Sequence, residues 1–227
     1  MDRIWQWAWD RYAARYSWAA YVVTFPVILP IYLLPSFVVV ATEESDHYVE
    51  AAGVTVIAVL VLVYVMVLPG QGPSRLFERW ADGQAVDRGR ALDATYTWAR
   101  GLVVRAVGGN AVGVALLLIV VGAIAGASGW RLVQYGILGA AFATAVQLIA
   151  VHGFTEAAMR PARLAIAGDT GIGDSLPRSR PTFAAWSNVC VLATAFAFAT
   201  GGAMLAAVFD RAASCLLYTS PSPRDRS

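Results

Sequence analysis

Five long apolar stretches, separated by charged segments, dominate the pattern of hydrophobic and polar positions along the chain. They cover about residues 18–42, 51–70, 106–130, 132–154 and 183–209. A helix needs roughly 20 apolar residues to cross a bilayer core of about 30 Å, and each stretch is long enough. Because lipid offers no partner to a free backbone amide, each stretch must be helical. The pattern therefore predicts an all-α fold, a polytopic transmembrane helical bundle with five spans.

The composition excludes an ordinary soluble domain. Of the 227 residues, 58% are hydrophobic and only 14% are charged. Buried helices of soluble proteins rarely stay uncharged on every face over so many residues. The residues before the first span do not have the apolar core and small-residue cleavage site of a secretory signal. We therefore expect a membrane protein whose first span stays attached.

Arginine is distributed unevenly between the segments that connect the spans. Three segments are rich in arginine: the one before the first span, the one after the second and the one after the fourth. Their arginines are Arg3, Arg11, Arg15, Arg75, Arg79, Arg88, Arg90, Arg100, Arg105, Arg160, Arg163, Arg178 and Arg180. Residues 43–50 carry four acidic residues and no arginine. Because short basic loops stay in the cytoplasm, we expect a multi-pass plasma-membrane protein with a cytoplasmic N-terminus.

Three segments outside the spans have an expected structure of their own. Residues 1–17 carry aromatic side chains at helical spacing beside arginines, which is typical of an amphipathic helix at the cytoplasmic interface. The aromatic residues are Trp5, Trp9, Tyr12 and Tyr16. Residues 73–105 mix charged and apolar positions and predict a cytoplasmic helix or helical pair, interrupted near Gly83 or Gly89. Residues 155–182 are expected to form a cytoplasmic loop.

The end of the fourth span contains the residues expected to fix its position in the membrane. Arg160 and Arg163 follow the apolar stretch directly and are expected to hold it against the cytoplasmic headgroups. Pro161 lies between them, where a helix emerging from the bilayer can end and the chain can turn along the interface. Arg75 and Arg79 are expected to anchor the cytoplasmic segment after the second span in the same way.

Small residues at four-residue spacing indicate close helix packing. In the third span these are Gly109 with Gly113 and Gly122 with Gly126, and in the fourth span Gly139 repeats the pattern. Small side chains let helices approach closely and associate through van der Waals contacts. The pattern predicts either packing within one chain or a seam between two copies.

The spans contain few polar side chains that could support chemistry. The amides in or near them are Asn110, Gln134, Gln147 and Asn188. Hydrogen bonds within the bundle explain these amides more simply than a substrate site does. His47 lies in the acidic segment, which reads either as an external metal site or, more simply, as a solvated loop. Cys190 and Cys215 make no disulfide framework.

We therefore expect no catalytic, cofactor-binding or metal-binding residue in this chain, and the lipid bilayer rather than nucleic acid as its partner.

Two stretches resemble a known family. The segment "TEAAMRPARLAIAG" and the last span, "FAAWSNVCVLATAFAFATGG", resemble the membrane anchor of actinobacterial, mycobacterial-type class III adenylate cyclases. The resemblance implies six transmembrane helices, then a HAMP linker and a cytoplasmic domain that makes cAMP from ATP with Mg or Mn. It also implies a homodimer in which the anchor localises the parent and can pass on a signal whose ligand is unknown.

The chain departs from this family after the fifth span. Residues 214–227 abandon the composition of the rest and read as a non-native tail. Five spans from a cytoplasmic start leave the chain outside the cell, so we expect a truncation before a sixth span. Two alternatives stay open: a small transporter or channel, and the anchor of a HAMP-linked histidine kinase or receptor.

Overall fold

A computed structural model of the chain describes residues 2–68, 71–168 and 187–202. These residues form helices joined by short turns, and no strand occurs among them. The elements are α1 (Asp2–Tyr12), a 3₁₀ turn (Ala13–Arg15), α2 (Tyr16–Thr42), α3 (Tyr48–Val67), α4 (Gln71–Ala81), α5 (Arg88–Ile124), α6 (Gly129–Ala167) and α7 (Ser187–Gly202). The all-α class expected from the sequence is therefore confirmed for the described ranges.

Four helical stretches are long and apolar enough to cross a membrane. They are Arg3–Thr42, Tyr48–Val67, Arg88–Ile124 and Gly129–Ala167, and they indicate a membrane-embedded helical bundle. The shorter apolar helix α7 lies inside the fifth predicted span, 183–209. The rest of that span, residues 169–182 of the predicted loop and the tail 214–227 lie outside the described residues.

The described parts of the arginine-rich segments meet at one end of the bundle, which we call the basic end. Here α1 packs on α6, with the ring centroids of Trp5 and Phe154 5.1 Å apart and their planes nearly perpendicular. Helix α4 packs on the start of α2, where the Ser17 backbone N–H donates to Glu78 Oε1 at 2.8 Å. The starts of α2 and α5 and the end of α6 therefore lie together.

The opposite end, which we call the acidic end, carries the turns between α2 and α3 and between α5 and α6. Arg131 lies at this end and forms an ion pair with Glu43, with Nε and Oε1 2.9 Å apart. The Tyr135 hydroxyl donates to the same carboxylate oxygen at 2.5 Å. Only 5% of the Glu43 side chain is exposed, so these contacts hold the two hairpins together.

Helix α6 is longer than the sequence analysis expected. It continues through Pro161 to Ala167, so residues 155–167 are helical and not part of a loop. An interior proline removes one backbone hydrogen bond, which ordinarily breaks a helix. Here the flanking residues Met159 and Ile166 are completely buried, and their packing maintains the helix.

The interruption expected in residues 73–105 falls at the first of the two glycines named for it, Gly83, which has φ +78°, whereas Gly89 lies inside α5. Three of the four aromatic residues of the stripe in residues 1–17 face the protein and not a lipid interface, whereas Tyr12 is 45% exposed. Trp5, Trp9 and Tyr16 are buried against the bundle because they pack edge to face on one another and on α6.

Helices α5 and α6 make the most extensive contact in the bundle, and Gly139 lies where they approach most closely. A Cβ atom at this position would lie 2.6 Å from the Val114 carbonyl oxygen and 3.1 Å from the Ala115 Cα. Both neighbours are backbone atoms, so neither can move aside as a flexible side chain could. The absence of a side chain at Gly139 therefore sets the distance between the two helices.

We expect Gly139→Ala to lower the free energy of unfolding by about 1–3 kcal/mol, because the added methyl group forces the two backbones apart. The matched control is Gly109→Ala in α5. Among the described residues, no atom lies within 4 Å of where a Gly109 Cβ would be. Helix propensity alone then predicts a gain of up to about 1 kcal/mol. Thermal loss of helical circular dichroism in detergent measures both changes, and equal effects would refute this role of Gly139.

Candidate functional site

The glycines expected to form packing pairs in α5 contact different partners. Gly113 lies against Leu62 of α3, whereas Gly122 lies against Leu132 and Tyr135 of α6. Gly126 ends α5 with φ +89°, a left-handed conformation that glycine adopts without strain. These small residues therefore do not form one continuous seam in the described structure. Gly113 and Gly122 instead pack against other helices of the same chain.

A buried polar network connects four helices inside the bundle. The Tyr32 hydroxyl of α2 donates to Asn110 Oδ1 of α5 at 2.7 Å, and Gln147 Nε2 of α6 donates to the Tyr32 oxygen at 3.1 Å. Asn110 Nδ2 lies 2.7 Å from the Ala106 carbonyl oxygen and 2.6 Å from Met66 Sδ of α3. Each polar side chain has a partner, as an interior without water requires.

The sequence predicted only part of this network. Asn110 and Gln147 were expected to bond within the bundle, and both do so. Tyr32 was missed because aromatic residues are frequent in α2 and nothing in the local pattern distinguishes it. The exposed Asn188 lies on α7, and Gln134 lies near the acidic end of α6; neither takes part in the network.

A cavity of about 80 Å³ lies between the network and the basic end. Its wall is almost entirely apolar and includes Ile31, Trp98 and Phe154, with Thr24, Gln147 and Thr155 as polar side chains. The lining contains no carboxylate, imidazole, thiol or amine. At about 80 Å³ this cavity is well below the size of typical small-molecule sites, and its lining offers no acid, base or strong nucleophile for catalysis.

Arg163 of α6 is buried in a cluster at the basic end, which we call the Arg163 cluster. Its Nη1 is 2.6 Å from Glu156 Oε2, and its Nε donates to Thr95 Oγ1 of α5 at 3.2 Å. The guanidinium carbon lies 4.0 Å from the ring centroid of Tyr96, also in α5. Only 6% of the residue is exposed. The expectation that Arg163 faces lipid headgroups is therefore wrong.

The helical continuation of α6 explains this difference. Because α6 does not end at Pro161, residue 163 falls on the same helix face as 156 and 159, which packs on α5. Arg160 lies on a different face of α6 and is exposed. Together with Arg3 of α1 it lines a groove. Arg88 Nε at the start of α5 donates to the Ile166 carbonyl, which is a second link between the two helices.

Helix α4 caps the start of α2 from a distance in sequence. Arg75 and Arg79 are exposed on α4, and Arg79 Nε donates to Gln84 Oε1 at 2.9 Å. Between them, Glu78 accepts the hydrogen bond from Ser17, satisfying a backbone N–H in the first turn of α2. Burial raises the pKa of Glu78, and the Ser17 N–H and Arg75 oppose this shift. No short-range spacing in the sequence encodes this cap, because Ser17 and Glu78 are far apart along the chain.

The acidic end does not assemble a metal site in the described ranges. His47 Nδ1 lies 2.7 Å from Ser45 Oγ and its side chain is exposed. Among these residues, no group of three or more His, Cys, Asp or Glu side chains could hold a metal ion. Cys190 donates its thiol to the Leu148 carbonyl at 3.0 Å and so joins α7 to α6.

Comparison with family models, with curated proteins and with solved structures finds no match to this chain. The polar network, the cavity and the Arg163 cluster are therefore the features on which a functional proposal can rest.

We expect Arg163→Gln to lower the free energy of unfolding by about 1.5–3 kcal/mol, because Glu156 loses its ion pair and Tyr96 loses the cation above its ring. Arg160→Gln removes the same charge from an exposed position three residues earlier and should change stability by less than about 0.5 kcal/mol. Denaturant unfolding in detergent micelles measures both variants. Equal losses would show that burial of Arg163 contributes nothing specific.

Proposed function

We propose that this chain anchors a signalling protein in the plasma membrane and relays conformational change to the cytoplasm. The observation that carries the proposal is the length of α5 and α6 together with their attachment at the basic end. With 37 and 39 residues, they extend about 55–60 Å at 1.5 Å per residue. A bilayer core of about 30 Å encloses roughly half of that length.

The Arg163 cluster and the Arg88 contact link the parts of these helices that extend beyond the bilayer. A displacement of α5 against α6 inside the membrane would therefore be transmitted to the basic end. Signalling needs two packings of the bundle that differ by only a few kcal/mol.

The proposed orientation places the basic end and the N-terminus in the cytoplasm. Arginine-rich segments are retained on that side of bacterial inner membranes. The contacts between α1 and α6 and between α4 and α2 support the assignment, because they place three separate basic segments at one end. The acidic end would then face outward.

The parent that we propose is an adenylate cyclase that acts as a homodimer, with the cyclase domain outside this chain. The support is the resemblance of residues 155–168 to the anchors of that family. A HAMP-linked kinase anchor would use the same membrane bundle. A transporter is favoured less, because the polar network consists of neutral groups that bond to one another, whereas transport pathways commonly contain intramembrane charges.

The test is to express the complete natural reading frame in bacteria that have no adenylate cyclase and to assay the membrane fraction. We expect cAMP synthesis, and we expect Arg163→Gln to change the rate about fivefold or more at equal membrane abundance, because the link between α5 and α6 is lost. Arg160→Gln should stay within about twofold of the wild type.

Three results would contradict the proposal. Autophosphorylation without cAMP synthesis would identify a kinase parent, and solute uptake without either activity would identify a transporter. Cyclase activity that is the same in the wild type and both variants would refute the relay through Arg163.

A further inference from the structure

A groove of about 790 Å³ runs along the basic end between α1, the start of α2 and α4. It is within the size range of small-molecule sites. Its lining has a charged part and an apolar part. The charged part includes Arg15 and Arg75, and the apolar part includes the large side chains of Trp7, Trp18 and Val22. This groove is separate from the cavity beside the polar network, whose lining carries no charge.

The charged part of the groove favours an anion. Arg15 and Arg75 contribute two positive charges, and Glu78 contributes one carboxylate. That carboxylate already accepts the Ser17 N–H and interacts with the charge of Arg75. The lining therefore carries a net positive charge when all three groups are ionised, and guanidinium groups bind phosphate with strong, charge-assisted hydrogen bonds.

The apolar part of the groove continues along the membrane-spanning helix. Trp18 is 52% exposed and Val22 is 65% exposed, and both belong to the stretch Arg3–Thr42 that is long enough to cross a membrane. Trp7 and Tyr12 lie at the other side of the groove, with ring centroids 5.8 Å apart. Aromatic rings of this kind concentrate at the headgroup level of bilayers.

We propose that this groove binds a phospholipid with an anionic headgroup, whose phosphate lies near Arg15 and Arg75 and whose acyl chain follows α2 past Val22. A cationic site directly next to an exposed apolar helix face matches the two parts of such a lipid, and a soluble anion would use only one of them. The inference needs the helices to lie in a membrane and is independent of the parent protein.

The experiment uses the full chain purified in nanodiscs that contain either phosphatidylglycerol or phosphatidylcholine with identical acyl chains. Lipid that stays bound after extraction is counted by native mass spectrometry. We expect retention of phosphatidylglycerol over phosphatidylcholine, and we expect the double variant Arg15→Gln, Arg75→Gln to weaken this retention about tenfold or more, because two cationic contacts are lost. Arg11→Gln removes a nearby arginine that does not line the groove and is the matched control, with an expected effect below about twofold.

Several outcomes would overturn the proposal. Equal retention of the two lipids would exclude recognition of the anionic headgroup. Unchanged retention in the double variant, with helical content and thermal stability like those of the wild type, would place the lipid elsewhere. Displacement of the lipid by inorganic phosphate would indicate a site for a free anion, and self-association that disappears in the double variant would indicate a second copy in the groove. Failure of the chain to enter nanodiscs would instead contradict membrane embedding.

Discussion

The cost of moving a guanidinium group into the hydrocarbon core of a bilayer determines where the helices of this chain can end. Insertion scales put this cost at about 2.5–3.5 kcal/mol for an arginine at the centre of a spanning helix. The bundle satisfies this constraint by gathering the described parts of its arginine-rich segments at one end. Arg131, at the other end, is paired with the buried carboxylate of Glu43. Helix directions and the placement of both hairpins follow from this separation of charge.

Polar and packing contacts inside the protein fix the rotation and separation of the helices. The Tyr32 hydroxyl forms hydrogen bonds with both Asn110 and Gln147, in an interior where no solvent would replace a missing partner. These bonds therefore fix the rotation of α2, α5 and α6. Gly139 fixes the separation of α5 and α6, and Arg163 holds their ends together at the basic end. One helix pair is thus held by contacts at three levels along its length.

The sequence predicted those features that depend on local composition. Apolar run length predicted five spans, and four of these correspond to helices long enough to cross a membrane, whereas the fifth contains the shorter helix α7. Intramembrane amides pointed to Asn110 and Gln147. Contacts between distant segments were not predictable in this way. The Glu78 cap on α2 depends on how α4 folds back, and the helix through Pro161 persists only because its neighbours are buried. Both depend on tertiary packing, which overrides the local signal of a proline or a charge.

The most direct test of the account is the side of the membrane on which each end of the bundle lies. Cys190 and Cys215 are replaced by serine, and single cysteines are introduced as His47→Cys at the acidic end or Arg160→Cys at the basic end. A membrane-impermeant maleimide is then applied to intact cells and to lysed cells. We expect residue 47 to be labelled in both preparations and residue 160 only after lysis. Labelling of residue 160 but not of residue 47 in intact cells would contradict the proposed orientation and the cytoplasmic relay built on it.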